Sequence, residues 1–111
     1  MYYTINVNLI GIEWDETKNT LNKKEHSLSF EAAQYVFADP ERLERLDQSE
    51  SNTSGEERLQ TIGMVDKVLF VVYTERGENK RIISARVADK SERKSYNGYY
   101  QVDGKGWSKT S

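Results

Sequence analysis

Two arginines in the stretch RIISARVADKSERKSY, Arg81 to Tyr96, are well suited to chemistry on an anion. Arg81 opens an apolar strand pattern. Arg86 sits inside it, with strict alternation placing Ile82, Ser84 and Arg86 on one face and Ile83, Ala85 and Val87 on the other. A guanidinium stays charged and meets a phosphate in bidentate fashion, and a strand holds it more rigidly than a loop would. A charge on a sheet face is costly unless it meets an anion or a carboxylate. Glu56, Glu57 and Arg58 stand at the start of a neighbouring strand pattern. Two readings therefore stay open: a Glu–Arg pair across the sheet that sets register, or phosphate binding.

His26 is the only histidine and ends a helix pattern beside Lys23 and Lys24. Its ordinary pKa near 6.5 suits general acid or base work, but a histidine at a helix C-terminus is also stabilised by the dipole alone. One histidine cannot be both acid and base, so a carboxylate or an aligning cation would have to complete the pair. No metal site is expected: there is no cysteine, and Asp66 followed by Glu78 and Lys80 is a spacing that recurs by chance. No G-x-S-x-G surrounds Ser84, which argues against serine nucleophile chemistry. Tyr73, Tyr96, Tyr99 and Tyr100 have rings that stack on unpaired bases, although Tyr73 reads as core.

The net charge of -2 argues against a protein that coats nucleic acid. The total hides a division: residues 1–60 hold 6 basic and 12 acidic side chains, residues 61–111 hold 10 and 6. A local positive field steers a polyanion even when the sum is near zero. The absence of cysteine fits a reducing compartment. No run approaches a membrane span, and MYYTINVNLIG has no basic n-region, so a cytoplasmic protein is expected.

The elements that must position these residues follow from periodicity. Residues 1–11 alternate as an extended segment. Asp15 caps a polar helix, ETKNTLNKKEH, with Leu21 its one apolar anchor. Ser29 opens a second helix whose Phe30, Ala33 and Phe37 make one stripe, ended by Asp39-Pro40. The run DQSESNTSGEE, Asp47 to Glu57, reads as a mobile loop. Three strand patterns follow at hairpin spacing. The middle one, KVLFVVYTE, is apolar on both faces and so central. DKSERKSYNG reads as a last helix stopping at Gly98, and residues 99–111 as a flexible tail. The expected fold is α+β, one domain over residues 1–98.

Five strings in order, IEWDETK, NKKEHSLSF, AAQYVFAD, GEERLQTIG and VVYTERGENKRIISARVADKSERKSY, resemble the BrnT family of type II toxins over roughly residues 12–96. The resemblance implies a RelE-like fold, with N-terminal helices on an antiparallel sheet and a C-terminal helix. It implies a ribonuclease that arrests growth and needs no cofactor. It implies a BrnA-like ribbon-helix-helix antitoxin, a toxin–antitoxin heterotetramer, operator DNA bound only through the antitoxin, and no membrane. The family pattern falls here on Lys18, Asn22, His26, Glu56, Arg58, Thr74, Arg76, Arg81, Ser84, Arg86, Glu92, Arg93 and Tyr96. The chain departs from it where Glu25-His26-Ser27 replaces the usual Lys-His-Gly, and where Val87 replaces a basic residue.

Cleavage without a metal uses the RNA's own 2′-hydroxyl as nucleophile, so the protein must align it, remove its proton and neutralise the phosphoryl oxygens. His26, Glu56, Arg58, Arg81 and Arg86 are the candidate catalytic residues. Lys18, Lys23, Lys24, Arg76, Ser84, Arg93 and Tyr96 are the candidate RNA contacts. The alternative is a catalytically silent subunit that holds the antitoxin and modulates DNA repression.

Overall fold

Strand β2, Ile10–Asp15, runs directly into helix α1, Glu16–His26, because Asp15 caps it. The Asp15 carboxylate accepts from the N–H groups of Thr17 at 2.8 Å and Lys18 at 3.3 Å. The computed structural model describes residues 2–7, 10–49 and 56–110. Residues 50–55 of the expected mobile loop, and the side-chain alternation expected from Tyr3 to Leu9, lie outside the described residues.

Helix α2, Phe30–Ala33, is capped by Ser29 and tightens into a 3-10 turn over Gln34–Ala38. Strands β1 (Tyr2–Val7), β3 (Leu43–Leu46), β4 (Leu59–Val65), β5 (Lys67–Arg76), β6 (Asn79–Val87) and β7 (Ser108–Lys109) complete a seven-stranded sheet with β2. Its order is β1-β2-β6-β5-β4-β3-β7. Five neighbouring pairs are antiparallel, whereas β2 and β6 run parallel, so the sheet is mixed. Helix α3, Lys90–Tyr96, opens with a capping box between Asp89 and Glu92.

Strand β5 is buried from both sides. Leu69, Val71 and Tyr73 join Trp14, Phe30, Val36 and Phe37 in one core, while Val68, Phe70 and Val72 join Leu43, Ile62 and Trp107 in the other. Each large side chain so buried contributes about 1.5–3 kcal/mol. The 3-10 turn lies so close on β4 that a Cβ on Gly63 would meet Val36 Cγ2 at 2.6 Å. No helix among the described residues is long and apolar enough to cross a membrane.

Three expectations are corrected. Leu21 does not anchor α1; it is 52 % exposed, and the buried residues of that helix are Asn19 and Asn22. Residues 99–110 of the expected tail are not loose. Trp107 sits edge-on against Phe70 in the second core, and β7 pairs with β3, so the packed unit runs on past residue 98. The third concerns β6. Val72 faces Ser84 but Tyr73 faces Ile82, so Ile83 is an extra residue, a β-bulge. The bulge inverts the alternation: Ile82 joins Ala85 in the first core, leaving Arg81, opposite Thr74, and Arg86, opposite Phe70, on the same face.

Candidate active site

A cleft of about 140 Å³ opens where β5 ends and β6 begins. Each wall comes from a different element. Thr74 and Arg76 come from β5, Arg81, Ile82 and Ile83 from β6, Asp15 and Lys18 from the start of α1, and Glu56 and Arg58 from the approach to β4. Four cations, Lys18, Arg58, Arg76 and Arg81, therefore face two carboxylates, Asp15 and Glu56. The surplus is positive although the chain as a whole is slightly negative.

Local bonds hold this arrangement. The buried Thr74 hydroxyl donates to the Glu57 carbonyl at 2.9 Å and ties the 56–58 segment to β5. Glu56 forms an ion pair with Arg76. Arg81 pairs at 3.3 Å with Glu13, which stands directly across from it in the parallel ladder. The Arg58 Nε is buried and meets no hydrogen-bond partner among the described residues. Asp15 is less available for proton transfer. The N–H groups of Thr17 and Lys18 hold its carboxyl below the ordinary range, which makes it a weak base.

Arg86 stands apart from the cleft. Its Nη1 and Nη2 donate to the two Glu92 oxygens at 2.8 and 2.9 Å, and its guanidinium lies 4.0 Å from the Phe70 ring centroid. The companion is thus Glu92 of α3, not Glu56 or Glu57. The Glu92 hydrogen bonds raise the Arg86 pKa further, against the opposing effect of burial. The guanidinium is not sealed in, since 36 % of the Arg86 side chain remains exposed.

Five of the candidate catalytic and RNA-contact residues meet in the cleft: Lys18, Glu56, Arg58, Arg76 and Arg81. The others do not line it. His26 is exposed at the far end of α1, 3.8 Å from Glu25, and eight residues beyond Lys18 amount to about 12 Å of helix. Lys23 and Lys24 are exposed on the same helix. Ser84 pairs with Val72 across the ladder. Arg93 donates to the Ala88 carbonyl at 2.8 Å, and the Tyr96 hydroxyl donates to Asp39 at 2.5 Å. Sequence reasoning missed Glu13 and gave Asp15 only a capping role. Glu13 becomes visible only once IGIEWD is recognised as a strand parallel to β6. Among the described residues, no group of three or more His, Asp or Glu is placed to hold a metal ion.

A family model described as "Ribonuclease toxin, BrnT, of type II toxin-antitoxin system" matches residues 14–92. A crystal structure of the Brucella abortus ribonuclease toxin BrnT is similar with a TM-score of 0.49 and 22 % identity, covering 69 % of this chain and 94 % of that one. No curated protein matches.

Proposed function

The chain belongs to the BrnT family of ribonuclease toxins of type II toxin–antitoxin systems, and from that premise we propose that the cleft around Arg81 cleaves RNA without a metal. The observation that carries this reading is the convergence of four cations and Glu56 on one cleft. In the proposed reaction the 2′-oxygen of one nucleotide attacks its own 3′-phosphorus. The 5′-oxygen of the next nucleotide leaves, and a 2′,3′-cyclic phosphate remains. Arg81, Arg76 and Arg58 neutralise the phosphoryl oxygens, where preorganised charge has its largest effect on rate. Glu56 takes the 2′-hydroxyl proton once a phosphate competes for Arg76. Lys18 gives a proton to the departing oxygen, because an ammonium releases one far more readily than a guanidinium does.

Membership of a type II system brings an antitoxin partner. We take that partner to be a BrnA-like ribbon-helix-helix protein that forms a heterotetramer with the toxin in the cytoplasm and carries the complex to operator DNA. One observation favours a second reading, the silent antitoxin-binding subunit: Arg76, Arg81 and Arg86 each already hold a carboxylate.

Purified protein incubated with RNA in chelator separates the two. The expected result is cleavage leaving cyclic phosphate ends, abolished by 2′-deoxy substitution at the cut site and reduced about a hundredfold or more by Glu56→Gln. Intact RNA in this assay, together with normal growth on induction, would establish the binding reading instead.

A further inference from the structure

Asn22 joins the helix of the cleft to its sheet. Strand β2 pairs with β6 only as far as Ile82, and beyond that point α1 runs along the same side of β6. The Asn22 amide takes over the ladder there. Its Nδ2 donates to the Ala85 carbonyl at 2.8 Å, and its Oδ1 accepts from the Ala85 N–H at 3.1 Å. The same Nδ2 donates to the Leu28 carbonyl at 2.9 Å, which fixes the chain leaving α1. A side-chain amide offers the donor and acceptor of a peptide group, so one residue replaces a strand.

This contact bears on the site because little else locates the helix. Its buried residues are both asparagines, and Leu21 is exposed. Asn19 fixes the helix to α2, accepting from the Phe30 N–H at 2.9 Å and donating to Glu31 at 2.7 Å. Asn22 fixes it to β6 just past the Ile83 bulge. Lys18, the one α1 cation in the cleft, precedes Asn22 by four residues and so shares its stripe of the helix. Apolar packing tolerates sliding, whereas directed hydrogen bonds do not, so polar docking specifies where Lys18 stands.

We propose that Asn22 is a positioning residue, setting Lys18 opposite Arg81 at the distance an RNA phosphate needs. The inference rests on the reading of the cleft as an RNA site. The test is affinity for a 2′-O-methyl RNA oligonucleotide, which lacks the nucleophile, measured over a range of salt. Wild type is compared with Lys18→Ala, Asn22→Leu (neutral and of similar size), the milder Asn22→Ser, the Lys18→Ala/Asn22→Leu double variant and Arg81→Ala, with circular dichroism as the fold control. Lys18→Ala is expected to weaken binding about five- to tenfold and to lower the salt slope by about 1. Asn22→Leu, or Asn22→Ser should the leucine variant not fold, is expected to do the same. The double variant should be no weaker than Lys18→Ala alone, because Asn22 acts through Lys18.

Additive losses, an unchanged salt slope in the Asn22 variants, or unaltered binding by Lys18→Ala would each overturn the inference. Failure of the cleft reading looks different. Arg81→Ala would then bind like wild type, whereas a loss in Arg81→Ala without coupling between Asn22 and Lys18 defeats the positioning role alone.

Discussion

Arg81 and Arg86 sit on one strand and, because of the Ile83 bulge, on one face, yet they meet opposite surroundings. Arg81 pairs with Glu13 and is also one of four cations around a cleft lined by two carboxylates, so the cleft lining as a whole carries a positive surplus. Arg86 is matched one for one. Glu92 grips it at both nitrogens, the same carboxylate accepts from the Asp89 N–H at 2.8 Å, and Phe70 lies beneath it. Its guanidinium fastens α3 to the sheet. The surroundings of an arginine are therefore set by how its carboxylate grips it and by the charges around that pair, not by its place in a motif.

The strongest test of this contrast is Arg81→Ala. Cleavage should fall by about 10²–10³, the scale of losing a preorganised charge contact, while thermal unfolding shifts little. Arg86→Ala should do the reverse. Stranding the buried Glu92 is expected to cost about 2 kcal/mol, below the full buried-pair value because Arg86 is partly exposed, and to lower Tm by roughly 8 °C. Cleavage by the fraction still folded should stay within about threefold of wild type. If Arg86→Ala instead abolishes cleavage and leaves Tm intact, the two ends of β6 have been assigned the wrong way round.

A smaller effect sharpens the structural half of the comparison. Burial would push the Asp39 carboxyl up, but the Tyr96 hydroxyl, the N–H groups of Met64 and Glu41 and the charge of Lys109 together hold it below its ordinary 3.8. A depressed carboxylate adds stability that is present above the unfolded value and lost as pH falls through the lower folded one. Tyr96→Phe should therefore cost about 1 kcal/mol near neutrality and reduce the loss of stability below about pH 4, as read by urea unfolding at several pH values. Cleavage should not change, because Tyr96 belongs to the α3 end. The smallest expected effect is that of His26→Ala, within about twofold in cleavage, since no wall of the cleft contains it. A loss matching that of Arg81→Ala would move the reacting centre along α1 toward His26.

Much of the scaffold was legible in the sequence because its signals are local. Asp15 and Ser29 announce their helices, and Asp89 with Glu92 makes a capping box. Both faces of KVLFVVYTE read as buried, and both are. The elements that escaped notice have partners far away. IGIEWD pairs with β1 on one side and, on the other, with residues some seventy positions later, and β7 is two residues long, held by β3 and the burial of Trp107. The candidate site divides in the same way. Its residue types were visible, but Lys18, Glu56, Arg58, Arg76 and Arg81 come from four stretches of chain whose meeting no local pattern records.

By itself the sequence determined the helices with their caps, the doubly buried central strand and the supply of arginines for binding an anion. These depend on side-chain periodicity and on hydrogen bonds a few residues long. Tertiary structure alone decided which arginine lines the cleft and which is clasped by α3. That choice depends on one extra residue at Ile83, which turns Arg81 and Arg86 to a common face, and on Glu92 reaching Arg86 from α3. Strand register and the competition of carboxylates for a guanidinium are properties of the assembled sheet, because each is settled by groups that only folding brings within a few ångströms.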